Sequence, residues 1–109
     1  MRVYAFTDVG CGFMEIENTL EAKQAFVGGY IEVVDIGNGI DLICNDEGKI
    51  NGMMPTAGWF EGGELVDLIC GPFILCRSNW EGEFTPIHKE DEEYIRTKLV
   101  PMVELAQYF

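Results

Sequence analysis

The chain has 109 residues and carries 19 Asp and Glu against seven Lys and Arg, a net charge of −12 at pH 7. Such an acidic chain is not expected to bind nucleic acid directly, because affinity for phosphate backbones depends on Lys and Arg. The same charge argues against an anionic membrane surface as a partner. A hydrophobic content of 48% excludes disorder and predicts one domain over residues 1–109.

The cysteines indicate a reducing compartment. Cys11, Cys44, Cys70 and Cys76 show no Cys-x-x-Cys spacing, and the last three lie in apolar strand-like runs, where cysteine behaves as a small hydrophobe. The first residues do not resemble a signal peptide, and no apolar stretch approaches the ~20 residues that cross a bilayer. We therefore expect a cytoplasmic protein.

Strand patterns dominate the first half of the chain. Residues 2–6 and 13–17 alternate apolar and polar side chains around a glycine-rich turn, which predicts an antiparallel pair. Residues 30–36 form a further strand with two mostly apolar faces, and this predicts a central place in the sheet. Gly37-Asn38-Gly39 is a strong hairpin signal, since Asn and Gly tolerate positive φ, and a strand at 40–44 follows it.

A short helix is predicted over residues 18–27. Asn18 is a good N-cap, and Glu21 completes a pattern like a capping box. Gly28-Gly29 ends the helix, because glycine adopts positive φ without a Cβ penalty. Lys23 falls close to the apolar face, so we expect its stem to lie along the edge of the core and its ammonium in water.

The second half of the chain is less regular. Residues 50–60 predict a loop that covers one end of the sheet, with an exposed contact patch as the alternative. Residues 65–77 predict two strands or one bent strand, because Gly71-Pro72 interrupts the run. A C-terminal helix is predicted over residues 89–108, kinked or broken at Pro101. Together these patterns predict an α+β fold with a mainly antiparallel sheet of about five to six strands.

We find no catalytic constellation in the sequence. His88 is the single histidine, and we interpret it as a capping or surface residue. Cys11 lies in a glycine turn, but no positive charge is close in sequence to lower its pKa. Residues 43–54 do not form a calcium loop, since Ile43 and Met54 would occupy positions that require carboxylates. We predict no metal, no cofactor and no enzymatic activity.

The middle of the chain carries the most informative charge pattern. From residue 32 to residue 67 there are eight acids and one base, Lys49. Such a negative field attracts a basic groove on a partner protein and competes with nucleic acid for it. The alternative is a solvated acidic rim that only keeps the protein soluble. The predicted partner-binding residues are Glu32, Asp35, Asp41, Asp46, Glu47, Glu61, Glu64 and Asp67.

Several strings carry a resemblance to a known family. The most specific are Val27-Gly28-Gly29-Tyr30-Ile31-Glu32, Cys44-Asn45-Asp46-Glu47-Gly48-Lys49 and Ile69-Cys70-Gly71-Pro72-Phe73-Ile74-Leu75-Cys76. With the acidic last helix, they resemble an uncharacterised domain family of small proteins from bacteriophages, plasmids and conjugative elements. The resemblance covers nearly the whole chain. It fails at Lys23, where an apolar residue is usual, around residues 55–57 and after Leu99.

The resemblance implies a genomic setting of mobile DNA that faces host defences, and it supplies no catalytic residues. In that setting small acidic proteins often block a host nuclease. We therefore expect a non-enzymatic inhibitor of a basic, nucleic-acid-binding host protein, such as a CRISPR-Cas nuclease of the Cas9 type, whose nucleic-acid channel is positively charged.

Two other functions stay open at this point. One is a small-molecule-binding or enzymatic domain, with a pocket near Tyr30, Trp59 and Phe60. The other is a structural or assembly module that dimerises through a sheet edge.

Overall fold

The computed structural model describes residues 1–105. Within them the chain forms nine strands and three short helices, an α+β arrangement that confirms the predicted fold class. The elements in chain order are β1 (Arg2–Thr7), β2 (Gly10–Glu15), α1 (Leu20–Val27), β3 (Ile31–Asp35), β4 (Ile40–Asn45), β5 (Pro55–Glu61), β6 (Glu64–Cys70), β7 (Phe73–Ser78), β8 (Phe84–Thr85), α2 (Asp91–Lys98), β9 (Leu99–Pro101) and α3 (Met102–Leu105).

The strands form two sheets. The larger has the order β2-β1-β7-β4-β3, with β8 paired to β7, and the smaller has the order β6-β5-β9. Every pairing is antiparallel, as predicted. The second sheet was not predicted, because the alternation of side chains within a strand does not tell which strands pair.

The larger sheet is covered on both faces, because successive side chains along a strand point to opposite sides. On one face Tyr4 and Leu75 belong to a cluster that includes Ala57 of the smaller sheet and Ile95 of α2. On the other face Ile74 belongs to a cluster against which α1 packs. The molecule therefore has α1, the larger sheet, and the smaller sheet with α2 as successive layers.

The prediction that the strand at 30–36 is central was wrong. It forms β3, at the edge of the larger sheet, and Val33 is 45% exposed. The centre belongs to β7, whose residues from Phe73 to Cys76 are all buried. A run that is apolar at every position fits between two strands, whereas β3 alternates in part with charged Glu32 and ends at Asp35.

The predicted first helix is confirmed, but its cap differs. Thr19, not Asn18, is the N-cap, and its hydroxyl accepts a hydrogen bond of 3.1 Å from the Ala22 amide. Asn18 instead donates to the Phe84 carbonyl at 3.0 Å. Gly28 ends the helix at φ 82°, as the sequence predicted.

The ammonium of Lys23 does not reach water, so that prediction was wrong. Lys23 is 2% exposed, and its Nζ donates to Asn18 Oδ1 at 2.7 Å and to the Thr19 carbonyl at 3.3 Å. The same Nζ lies 4.9 Å from the centroid of the Phe84 ring. These neutral groups close around the charge, so the side chain is held inside rather than extended to solvent.

The region predicted as a covering loop is partly a strand. Residues 55–61 form β5, the middle strand of the smaller sheet, and only residues 46–54 form a loop. The interruption at Gly71-Pro72 is confirmed, since Gly71 has a φ of 85° and separates β6 from β7. The two strands lie in different sheets, so the break lets the chain cross from one sheet to the other.

The C-terminal helix predicted over residues 89–108 is broken near Pro101, as the sequence predicted. It begins at Asp91, ends at Lys98, and gives way to the extended segment β9 before α3. The break precedes Pro101 because the residue before a proline, here Val100, is biased towards extended conformations. The last residues of the predicted helix, 106–108, lie outside the described part of the chain.

Candidate functional site: an acidic cleft

One buried side chain joins the end of α1 to the loop that follows β4. Asn45 is 7% exposed, and its Nδ2 donates to the Val27 carbonyl at 3.1 Å. Its Oδ1 accepts a hydrogen bond of 2.8 Å from the Glu47 amide. A Cβ on Gly29 would lie 2.9 Å from Nδ2, so the glycine leaves room for this amide. Asn45 therefore fixes the loop against the helix.

The same loop lies against the end of β6. A Cβ on Gly48 would lie 2.6 Å from the Cys70 carbonyl oxygen, so the two backbones are in close approach. Internal hydrogen bonds tighten the loop, from the Asn51 amide to the Glu47 carbonyl and from the Met53 amide to the Gly48 carbonyl. The three strings that carry the family resemblance thus meet at one place.

A cleft of about 290 Å³ lies at this meeting point. Four of the eight predicted acids line it: Glu32, Asp46, Glu47 and Asp67. Within residues 1–105, only Asp67 among them has a Lys or Arg within 4.0 Å. Glu32, Asp46 and Glu47 are exposed and keep a negative potential at the mouth of the cleft. We name these three residues the cleft acids.

Asp67 is the neutralised member of the group. The Lys49 ammonium beside it lowers the pKa of the Asp67 carboxyl, and Asp67 in turn raises the pKa of Lys49. Both side chains are largely exposed, so the pair contributes little to stability. Its effect is to remove one negative charge from the wall formed by β6.

The thiol in the cleft is not poised as a nucleophile. Burial raises the pKa of Cys44 to about 11, and the charges of Glu32 and Asp46 raise it further in the same direction. A thiolate is the reactive form of cysteine, so Cys44 is a protonated, small apolar side chain at neutral pH. Cys76, in the core, has a pKa of about 12, again chiefly because of burial.

The other four predicted acids lie elsewhere. Asp35 and Asp41 face each other across the β3–β4 hairpin. They point to the α1 side of the sheet, because Asp35 shares a face with Ile31. Glu32, by contrast, points to the opposite side. The structure therefore separates this pair from the cleft.

Glu61 and Glu64 pair across the β5–β6 turn, at the end of β6 that is remote from the cleft residues 67–70. Lys98 Nζ lies 2.6 Å from Glu61 Oε2 and lowers the pKa of that carboxyl. The sequence grouped eight acids, and the structure brings four of them together.

Most of the basic side chains are already engaged. Four form ion pairs with carboxylates, and a fifth, Lys23, is buried. The paired bases are Lys49, Arg77, Arg96 and Lys98. Few cations are therefore left to offset the surface charge near the cleft acids.

The alternative pocket near Tyr30, Trp59 and Phe60 does not assemble in residues 1–105. Trp59 packs against the core towards the larger sheet, whereas Phe60 lies beside Gly58 and Leu105 on the other face. Tyr30 is 75% exposed beside β3. None of the three lines the acidic cleft.

Sequence reasoning missed a polar cluster around Cys11. The Tyr4 hydroxyl donates to Glu92 Oε2 at 2.8 Å and lies 3.5 Å from Cys11 Sγ. Arg96, bound to Glu104 at 2.5 Å, also belongs to this cluster. Glu92 and Arg96 follow Cys11 by more than 80 positions, so no local pattern could have revealed the contact.

Three further observations concern the described residues. His88 is exposed, in agreement with the interpretation as a surface residue. Among residues 1–105, no three His, Cys, Asp or Glu side chains are grouped closely enough to hold a metal ion. None of the helices in that range is long and apolar enough to span a bilayer.

Comparison with known proteins places the chain in a family of uncharacterised proteins. The sequence model of the family described as a domain of unknown function (DUF3846) matches residues 2–100. Neither the curated proteins nor the solved structures give a match.

Proposed function

The chain belongs to the DUF3846 family, and from that premise we propose that it is a non-enzymatic acidic protein that binds and inhibits a basic, nucleic-acid-binding host protein. The proposal places it in the cytoplasm of a bacterial host, as the product of a phage or another mobile genetic element. Its proposed target is a CRISPR-Cas nuclease such as Cas9, which would make the chain an anti-CRISPR protein.

The observation that carries the proposal is the acidic cleft. The cleft acids have no Lys or Arg within 4.0 Å among residues 1–105. Lys49, which lines the same cleft, pairs with Asp67, and three other bases pair with carboxylates elsewhere. Asn45 and Gly48 hold the loop that carries Asp46 and Glu47, so these charges are presented from a fixed backbone. Preorganised charge of one sign favours a partner of the opposite sign and speeds association.

Charge also supports the choice of target. Nucleases of the Cas9 type hold the guide–target duplex in a positively charged channel. An acidic surface that occupies such a channel competes with nucleic acid for the same Lys and Arg side chains. The Val27–Glu32 string and the mobile-element setting that it implies support the same target, since a nuclease of this kind is an adversary of mobile DNA.

The test is a DNA-cleavage assay with a purified Cas9-type nuclease and increasing amounts of the protein. We expect the wild type to inhibit, and the variant Glu32→Gln/Asp46→Asn/Glu47→Gln to inhibit at least about tenfold less well, because charge pairs at an interface contribute several kcal/mol together. The variant keeps the size of each side chain, so it removes charge without creating a cavity.

A matched control separates the effect of charge at the cleft from the effect of the net charge of the chain. Glu17→Gln/Glu81→Gln/Glu93→Gln changes the net charge by the same amount at exposed positions that have no ion pair in the described part of the chain. We expect this control to inhibit like the wild type. Absence of inhibition by the wild type would refute the anti-CRISPR role, and equal inhibition by both triple variants would refute the cleft as the contact surface.

A further inference from the structure

The outer edge of β3 is free along its whole length in residues 1–105. β3 pairs with β4 on one side and has no partner strand on the other. The pairing runs from Ile31 opposite Asn45 to Asp35 opposite Asp41 with no irregularity in register. The strand also carries no proline and no lysine. Regular, unblocked edges of this kind are templates for another strand.

Two hydrogen bonds fix which backbone groups face outwards. The Asp46 amide donates to the Tyr30 carbonyl, and the Ile36 amide donates to the Ile40 carbonyl, each at 3.1 Å. Because hydrogen-bonded pairs alternate along antiparallel strands, the even-numbered residues of β3 bond to β4. The amides and carbonyls of Ile31, Val33 and Asp35 therefore point to the free edge.

The two faces of this edge differ in chemistry. Ile31 and Val33 lie on the α1 face, where Ile31 packs against the core and Val33 is 45% exposed. Glu32 lies on the opposite face and lines the acidic cleft. A strand added here would place alternate side chains beside Ile31 and Val33, with Asp35 at the end of that face, and beside Glu32 on the cleft face.

The other exposed edge near the cleft is protected. In β6 the register shifts between Asp67, opposite Trp59, and Leu65, opposite Phe60, which leaves Val66 as a bulge. Asp67 Oδ1 also accepts a hydrogen bond from the Leu68 amide at 2.8 Å and binds Lys49. Bulges and lysines are devices that block pairing at an edge, so β6 is a poor template.

We propose that the free edge of β3 binds an extended segment of the partner in which basic and apolar residues alternate, as an additional strand of the larger sheet. This inference rests on the proposed function and specifies how the partner is recognised. Backbone hydrogen bonds supply affinity, and alternate side chains supply specificity, as in other cases of strand addition. A second copy of the chain is disfavoured as the occupant, because each copy carries a net charge of −12.

The probe is a synthetic peptide of about eight residues in which Lys and Val alternate, long enough to cover the strand. Binding is measured by isothermal titration calorimetry. The matched controls are two peptides of the same sequence, one N-methylated at the odd-numbered residues and the other at the even-numbered residues. Only one of these two sets of amides faces β3, so we expect one control peptide to bind at least about tenfold more weakly than the other.

The protein variant is Val33→Pro, which removes one outward amide and leaves the hydrogen bonds between β3 and β4 in place. Proline is tolerated on an edge strand when its nitrogen faces solvent. We expect Val33→Pro to weaken peptide binding at least about tenfold. Glu15→Pro is the control, because the Ile16 amide bonds to the Met1 carbonyl and the Glu15 amide therefore faces outwards on the opposite edge.

A second measurement covers the case in which Val33→Pro does not fold. In the wild type, hydrogen exchange of the Ile31, Val33 and Asp35 amides should slow on peptide binding, while the exposed amides of β2 should not change. Protection that appears only elsewhere would overturn the proposal, and so would a folded Val33→Pro variant that binds like the wild type.

The outcomes also distinguish this inference from the proposed function. If neutralising the cleft acids weakens binding but Val33→Pro does not, the acidic surface stands and strand addition is refuted. If neutralising the cleft acids changes neither peptide binding nor nuclease inhibition, the proposal that the acidic cleft binds the partner is refuted. A dimer in light scattering that Val33→Pro abolishes would identify a second copy as the occupant and would refute a basic partner strand.

Discussion

At the scale of single residues, close backbone approach matters more to this site than any reactive group. Gly48 is a glycine of ordinary φ, so its conformation alone does not demand glycine. What demands it is the Cys70 carbonyl on the neighbouring segment. The sequence showed Gly48 only as part of a turn, because the contact joins residues that are distant in the chain.

Gly48→Ala should lower the free energy of unfolding by about 1–3 kcal/mol, because the new methyl group would push the loop away from the rigid Cys70 carbonyl. Gly12→Ala is the control, since nothing lies within 4 Å of a Cβ there. We expect this control to be neutral or stabilising by up to about 1 kcal/mol. Urea denaturation measures both, and equal effects of the two substitutions would contradict the described contact.

A second residue-scale feature is the ion pair between Arg77 and Asp91. Asp91 is 4% exposed, and its two carboxylate oxygens accept hydrogen bonds of 2.8 and 2.6 Å from the Arg77 guanidinium. It also accepts a hydrogen bond of 2.9 Å from the His88 amide. The Arg77 guanidinium, and secondarily the His88 amide, hold the pKa of Asp91 below its ordinary value of 3.8.

Because this pKa is lower in the folded state than in the unfolded state, Asp91 contributes stability above about pH 4, and the contribution is lost as the pH falls through the folded-state pKa. Asp91→Asn should cost about 2–3 kcal/mol at pH 7, since it leaves Arg77 partly buried without its counter-charge. The cost should shrink on acidification. Thermal or urea unfolding from pH 7 to pH 2 tests this, with Asp8→Asn at an exposed turn as the control.

At the scale of elements, the packing of α1 against the larger sheet includes a buried charge. Lys23 lies between the helix and β8, where its ammonium has an amide, a carbonyl and an aromatic ring as partners but no carboxylate within 4.0 Å among residues 1–105. Burial of a charge without a counter-charge is costly even when the group is hydrogen-bonded.

Lys23→Met should therefore raise the free energy of unfolding by about 1–2 kcal/mol, because a side chain of similar length fills the site without desolvating a charge. Lys89→Met, at an exposed position, should change it by no more than about 0.5 kcal/mol. Chemical denaturation at pH 7 compares the two variants. A loss of stability on Lys23→Met would mean that the bonds to Asn18 and Thr19 outweigh the desolvation of the ammonium.

The elements that sequence patterns predicted best are those with local signals. Gly28 ends α1 because the left-handed conformation is needed there, and Gly71-Pro72 breaks a strand because proline cannot donate to a ladder. The place of β3 could not be read in this way. An apolar strand with some charge can lie at the centre or at the edge of a sheet. Here β7, whose first four residues are all apolar, takes the central place, and it lies about 40 residues later in the chain.

At the scale of the whole molecule, the structure divides the eight predicted acids among separate places on the surface. Composition located the acids on one stretch of chain, but strand alternation and the two-sheet arrangement divided them between the cleft, the β3–β4 hairpin and the β5–β6 turn. Pairing with Lys49 and Lys98 then removed two charges from the field. Both effects depend on contacts between distant segments, which no composition reveals.

The measurement that tests the central claim most directly is the affinity for the Cas9-type nuclease as a function of salt, from about 50 mM to about 300 mM NaCl. If unpaired acids at the cleft bind a basic surface, affinity should fall at least about tenfold over this range, and the slope should flatten for Glu32→Gln/Asp46→Asn/Glu47→Gln but not for Glu17→Gln/Glu81→Gln/Glu93→Gln. An affinity that does not depend on salt, or equal slopes for the two triple variants, would contradict the account.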